Sequence, residues 1–210
     1  MPELFIITGS NGAGKSSVGP DYLPQHIQKN HTIFDGDKLF TQKQSALWQS
    51  GMRAHKEARK IAYEYVLDTF DTLVKEAMEN KATFVYEGHF TNDATWDIPK
   101  NFKAAGYKLN LIFLGLTHPD LSEIRVLRRV KQGGHFVDRR TVEDNFYGNL
   151  EKLNVYFSII DNLQIIDSSE AEHLLIASFQ NGECDFSIPK SQIPEWFSKY
   201  LPVLHGKILS

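Results

Sequence analysis

Residues 8–17 read TGSNGAGKSS, and the five residues that lead into them, Leu4 to Thr8, read LFIIT. A short isoleucine-rich run with no polar alternation is the pattern of a strand buried on both faces, hence a central strand of a parallel sheet. The loop that follows fits G-x-x-x-x-G-K-[ST], with Gly9, Gly14, Lys15 and Ser16 in the fixed places. Glycines let the backbone approach phosphate oxygens and aim N–H groups at them. The lysine reaches the outer phosphates, and the hydroxyl can ligate Mg²⁺. The strand before the loop and the helix expected near Lys15 are the context that gives this motif its meaning. Gly9, Asn11, Gly12, Ala13, Gly14, Lys15, Ser16 and Ser17 are therefore the expected binding residues for ATP, with Ser16 as the metal contact. Gly19, Pro20 and Pro24 should keep the following helix short or irregular.

Working outward, strands alternate with helices. TIF (Thr32 to Phe34), ATFVY (Ala82 to Tyr86), LNLIFLGL (Leu109 to Leu116) and LQII (Leu163 to Ile166) are the further strands. Helices are expected over 38–80 with a break near Ser50-Gly51, over about 94–105, 119–131 and 139–160. This alternation implies right-handed βαβ units. The expected fold class is α/β, a mainly parallel five-stranded P-loop sheet flanked by helices, with a helical lid at about 125–141. Residues 1–180 form that domain, and 181–210 read as a C-terminal extension with one short helix packed on it. Ligands in such sheets sit beyond the carboxyl ends of the strands. The glycine loop, Asp35/Asp37, Glu87 and the segment after Leu116 all fall there, so they should converge.

The 210 residues suffice for one α/β domain with a full core. A net charge of −3 argues against a long nucleic-acid partner. Cys184 is the chain's one cysteine, so a reducing cytoplasm is expected, and no run approaches the length of a membrane helix. The start, Met-Pro-Glu, lacks the basic region of a signal peptide.

Three stretches carry further chemistry. FDGDK, Phe34 to Lys38, ends the second strand with two acids. Either can cap the next helix, and either can take the proton of a hydroxyl attacking a γ-phosphate. YEGHF, Tyr86 to Phe90, ends the third strand with Glu87, which can orient magnesium water or hold a substrate hydroxyl. His89 reads as a substrate or packing residue, because no second histidine stands at ligand spacing. RVLRRVKQGGHFVDRR, Arg125 to Arg140, holds six of the 23 lysines and arginines. On a helix Arg125, Arg128 and Arg129 share a face and Ile124, Leu127 and Val130 turn from it. A hinged, arginine-rich segment after the fourth strand stands where a kinase lid would neutralise a transferring phosphoryl group.

These stretches together resemble the zeta-toxin family of P-loop kinases over about residues 3–168. The resemblance rests on the glycine loop, FDGDK, YEGHF, GYKLNLIFLGL, RVKQGGHFV and the pair Asn149-Leu150. It implies a nucleotide-kinase-like parallel sheet, ATP-dependent phosphorylation of a hydroxyl, on UDP-N-acetylglucosamine for the characterised toxins, and an antitoxin protein as partner. By that resemblance Asp37 is the base, Lys15 and Ser16 contact nucleotide and magnesium, Glu87 binds the sugar nucleotide and Arg128 is the lid arginine. His135 aligns with a second lid arginine. The chain departs from the family pattern at HFTNDATW, His89 to Trp96, which lacks the usual arginine, and at VEDNFYGNL, Val142 to Leu150, where acids replace an arginine run. Arg139 and Arg140 are the cations at hand to compensate.

The leading expectation is a small-molecule kinase, its substrate between the sheet and the 38–80 helices, facing Glu87 and His89. A kinase of another sugar, a nucleoside or a nucleic-acid 5′ end is the alternative. An ATP-binding switch with little transfer chemistry comes from another class, and such a switch needs no base at Asp37.

Overall fold

The computed structural model describes residues 1–132, 134 and 136–209. Its strands are β1 (Glu3–Gly9), β2 (Phe34–Asp35), β3 (Phe84–Gly88), β4 (Lys108–Gly115), β5 (Asn162–Asp167), β6 (Leu174–Gln180) and β7 (Glu183–Ser187). They form one sheet in the order β2-β3-β1-β4-β5-β6-β7. The first five in chain order are parallel, and β6 and β7 are added antiparallel. β1 lies between two parallel neighbours, and from Leu4 onward every one of its residues is buried. That two-sided burial is why the run shows no alternation.

The helices are α1 (Gln25–Asn30), α2 (Gly36–Gln49), α3 (His55–Asn80), α4 (Asp97–Ala104), α5 (Pro119–Lys131), α6 (Arg139–Tyr156), α7 (Glu195–Tyr200) and α8 (Pro202–Leu209). The expected break between α2 and α3 is where Gly51 takes a φ of 97°. No helix of the described residues is long and apolar enough to cross a membrane.

Two expectations change. No α-helix starts at Lys15. The chain makes one turn on the Gly14 carbonyl, which accepts from Ser17, Val18 and Gly19, and then a 3-10 helix, Gly19–Tyr22. Pro20 has no N–H to continue an α-helical ladder. The sheet has seven strands rather than five. Gln180 and Glu183 pair across the turn Asn181-Gly182, so a boundary at 180 cuts a hairpin. Both turn residues have positive φ, 51° and 81°, as a two-residue turn of this hand requires. The tail beyond it belongs to the core: Trp196, Phe197, Leu201 and Leu204 are buried, and Trp196 Nε1 donates to Asp167 Oδ2 at 3.1 Å.

The sheet register positions the site. Asp35 pairs with Glu87, and Glu87 with Ile7, so the ends of β2, β3 and β1 stand side by side beneath the glycine loop.

Candidate active site

The glycine loop leaves β1 at a point where a side chain cannot fit. Gly9 has φ 141°, and a Cβ there would lie 2.2 Å from the Leu114 carbonyl oxygen of β4. Gly12 has φ 72°, and its Cβ would meet Arg125 Cβ at 2.7 Å. These glycines keep the loop backbone bare, which is the cradle a triphosphate needs. Within it Lys15 Nζ donates to the carbonyls of Gly9 and Ser10, both at 3.2 Å, and lies 3.3 Å from His89 Nε2. Burial lowers its pKa to about 8, against the pull of Glu87 and Asp37. An anion bound in the loop would favour the charged form.

Three carboxylates face the loop. Asp35 is the N-cap of α2, its Oδ1 accepting from Lys38 N at 2.9 Å. Asp37, in the first turn, lines the cleft with an exposed side chain. Of the two acids, Asp35 therefore serves the cap and Asp37 is left facing the cleft. Glu87 accepts from Ser16 Oγ at 2.8 Å. Its pKa rises from 4.5 to about 7, first through burial and then through Asp35. Ser16 Oγ, beside Glu87, is a hard oxygen donor that suits Mg²⁺ held chiefly by nucleotide phosphates and water, and among the described residues no three acidic, histidine or cysteine side chains cluster to hold a metal by themselves.

A buried amide network ties these pieces together. Asn149 of α6 is 2% exposed. Its Oδ1 accepts from Thr8 Oγ1 at 3.0 Å and from Phe90 N at 2.7 Å, joining the ends of β1 and β3. Its Nδ2 lies 3.3 Å from His89 Nδ1. Asn145, one turn earlier, donates to Asn11 Oδ1 at 2.7 Å. His89 Nε2 also lies 3.4 Å from Asn11 Nδ2. Burial, and then the Lys15 charge, hold the His89 pKa well below 6.5. The imidazole is thus a neutral brace between Lys15, the loop and α6. Residues 142–150 had pointed to missing cations. The structure shows what Asn145 and Asn149 do instead.

Helix α5 docks on the loop directly. Ser122 Oγ donates to the Asn11 carbonyl. Arg125 donates to the Gly12 carbonyl at 3.2 Å and to the Ser169 carbonyl at 2.7 Å. Ser122 and Val126 are buried and mark the inward face, and Arg125 and Arg129 line the cleft. Arg128, the arginine expected to act, is exposed and lines neither cavity of the site. The reason is helical phase: residues 122, 125, 126 and 129 share one face, and 128 falls about 100° beyond 129. Ile124 and Leu127 turn from the cleft as expected, but into solvent, at 46% and 45% exposure. Because Arg125 and Ser122 are bonded to the loop, the first half of α5 belongs to the phosphate scaffold and not to a lid starting at 125. Arg139 bonds Asp120, Glu123 and Glu143 at 2.9–3.0 Å. Arg140 is 91% exposed, 4.0 Å from Asp144, and outside the cleft. His135 lies outside the described residues.

Two cavities result. A cleft of about 880 Å³ runs between the loop, with Arg125 and Arg129, and the open face of α2. A smaller one of about 260 Å³ lies against Phe40, Tyr63, Val66 and His89. They share Lys15, Asp35, Asp37 and Glu87. Thr41, Gln42, Ser45 and Gln49 line the cleft from α2. They were missed in the sequence, although their spacing of three to four residues marks one helical face.

The family model described as Zeta toxin matches residues 1–178. No curated protein matches the sequence. Among solved structures, the AvrRxo1-ORF1:AvrRxo1-ORF2 complex with sulphate ions superposes with a TM-score of 0.68 at 16% identity, covering 96% of this chain and 64% of that one. The same complex with ATP gives 0.69 at 17% identity, over 96% and 64%. This chain thus spans a little under two thirds of those proteins. The PezAT chromosomal toxin–antitoxin system of Streptococcus pneumoniae gives 0.65 at 19% identity, over 100% of this chain and 84% of that one. At these identities the structures show a shared fold, and the family match carries the assignment: the chain belongs to the zeta-toxin family.

Proposed function

We propose that the protein is an ATP-dependent kinase that passes the γ-phosphoryl group to a hydroxyl of a small molecule. The observation that carries this reading is the junction of the two cavities at Lys15, Asp35, Asp37 and Glu87. One cavity adjoins the phosphate loop, the other is roofed by α2 and α3, and a base and a cation stand where they meet. ATP lies on Gly9 to Ser17. The AvrRxo1 complex with ATP, which shares the fold, supports this. Mg²⁺ supplies charge neutralisation on the phosphates when bound, with Ser16 as its protein contact.

The acceptor oxygen attacks the γ-phosphorus as the bond to the bridging oxygen breaks and ADP leaves. Asp37 takes the hydroxyl proton. Lys15 and Arg129 face the developing charge, and Arg125 holds the loop in place. Glu87 and His89 border the acceptor. The family resemblance makes UDP-N-acetylglucosamine the first acceptor to assay. PezAT is described as a toxin–antitoxin system, which supports a protein partner that restrains the activity here too. The reaction is placed in the cytoplasm, where ATP is at hand.

The test is mass spectrometry of acceptor candidates incubated with protein, ATP and magnesium: UDP-N-acetylglucosamine, N-acetylglucosamine, hexoses and nucleosides. One added phosphoryl group is expected. Asp37→Asn should lower the rate by roughly 10²–10⁴-fold with ATP affinity nearly unchanged. Transfer at the normal rate in that variant would remove Asp37 as base. No transfer to any acceptor, with ATP bound, would favour the nucleotide switch.

A further inference from the structure

Helix α3, which roofs the cavity at His89, carries its charges in reverse order. Among its first nine residues, His55 to Tyr63, stand Lys56, Arg59 and Lys60 with one acid, Glu57. From Glu64 to Asn80 it holds five acids and one lysine, and its last turn has no cation. The peptide dipoles of a helix favour acids in the first turn and cations in the last. Lys56 and Lys60, four positions apart, also repel each other. The bias continues into α2: residues 38–63 hold six lysines and arginines against one acid, in a chain of net charge −3. Helix stability does not account for this order.

One of these cations shares a face with the cavity wall. At about 100° per residue, Arg59, Tyr63 and Val66 fall within about 60° of one another around the helix. Val66 and Tyr63 line the 260 Å³ cavity. Val66 is part-buried, Tyr63 is 59% exposed and Arg59 is exposed, so the three run from the inside over the rim to the outside. Arg59 stands about 6 Å beyond Tyr63 along the helix axis. Its neighbours three and four positions away are His55, Lys56, Ala62 and Tyr63, none of them a carboxylate. Among the described residues no ion pair involves it, whereas Lys60 lies 3.8 Å from Glu64. Lys15 is the cation inside the small cavity, and it serves the phosphate loop. Arg125 and Arg129 line the larger cleft. Arg139 is held by three carboxylates, and His89 to Trp96 carries no lysine or arginine.

Resting on the kinase reading, we propose that Arg59 is a specificity-determining residue, which binds a phosphate group of the acceptor just outside the small cavity while the reacting hydroxyl lies inside it at Asp37. The guanidinium fork matches phosphate oxygens two at a time. Lys56 and Lys60, one turn away, add the positive potential that a doubly charged group needs. Holding the acceptor at both ends orients its hydroxyl toward the γ-phosphate. It also keeps the acceptor's own charge a helical turn away from the carboxylates at the junction, where like charges would repel.

The test joins acceptor charge to this one side chain. A small-molecule extract is split on an anion exchanger into a neutral flow-through and an anionic eluate, and each is given protein, magnesium and ATP labelled at the γ-phosphate. Label is expected in products of the eluate. Eluate treated beforehand with phosphodiesterase and phosphatase, both then removed, should lose it. In Arg59→Ala the amount of eluate that half-saturates the rate should rise roughly tenfold, from the loss of a charged hydrogen bond. The saturated rate and the ATP affinity should stay within about twofold, since the contact is made equally before and during transfer. Alanine favours helix at this exposed position, so the variant folds. Lys75→Ala removes the same charge from the far end of α3, where Lys75 pairs with Glu79, and should leave transfer unchanged. Label from the flow-through alone, from both fractions at similar rates, or from treated eluate overturns the proposal and leaves the kinase reading standing. Unchanged half-saturation in Arg59→Ala does the same, and so does an equal rise in Lys75→Ala, which would make overall charge the cause. Label from neither fraction, with ATP bound by titration, overturns both.

Discussion

Glu87 shows how one residue serves two states. Its carboxyl is held up to about 7, by burial and then by Asp35, with Ser16 and Lys15 pulling the other way. The unfolded chain releases that proton near 4.5. Between those two values the folded protein binds a proton that the unfolded chain has lost, so stability contributed here falls as pH rises and levels off above about 7. Glu87→Gln removes the ionisation. Its thermal midpoint should exceed the native one at pH 8 and match it near pH 4. A difference of equal size at both pH values would mean that packing, not charge, sets the effect. The acid was visible in YEGHF, but its raised pKa was not, because its burial comes from packing and Asp35 reaches it only through the pairing of β2 with β3.

At the scale of elements, the site depends on how α2 begins and where α5 docks. Asp35→Ala deletes the cap on Lys38 N and should cost about 1 kcal/mol in chemical denaturation. It should also lower transfer, since Asp37 sits in the turn that frays. Asp35→Asn keeps the cap and should restore most of the stability. Loss in both variants alike would show that charge, not capping, is what Asp35 supplies. Gly12→Ala tests the docking of α5. A Cβ at Gly12 meets Arg125, in a backbone region that L-residues avoid. ATP affinity by titration calorimetry should fall about tenfold, and unchanged affinity would mean the loop shifts without consequence. Sequence spacing placed an arginine helix after the fourth strand correctly. It could not choose among Arg125, Arg128 and Arg129, because the choice rests on which face the phosphate loop covers.

For the whole molecule the decisive feature is the end of the chain. Trp196, Phe197, Leu201 and Leu204 are at most 3% exposed, and β7 extends the sheet. The 1–180 fragment should therefore lose the cooperative thermal transition, read by circular dichroism. Within the full chain Leu204→Ala should cost about 2–5 kcal/mol in denaturant unfolding. A fragment that melts like the full chain would show that residues 1–180 fold without the tail. The Asn181-Gly182 pair was a legible hairpin signal. The strands beside it were not, since LLIASFQ and ECDFS lack clean alternation on a sheet whose edge is covered unevenly.

What the sequence determined by itself is whatever is local in the chain. The buried strand, the glycine loop, the break at Ser50-Gly51 and the acids at strand ends follow from the chemistry of neighbours a few positions apart. The family resemblance lay in the same contiguous strings. What the tertiary structure alone decided is everything set by contacts between distant segments. Asn149 reaches Thr8 across 141 positions, and Ser122 reaches Asn11 across 111. The cap at Asp35 frees Asp37 for the cleft, and Arg139 is consumed by carboxylates of two helices. A side chain's chemistry is written in its own letter, but its direction, its burial and its partners come from packing, and these decide which polar residues remain to meet a substrate.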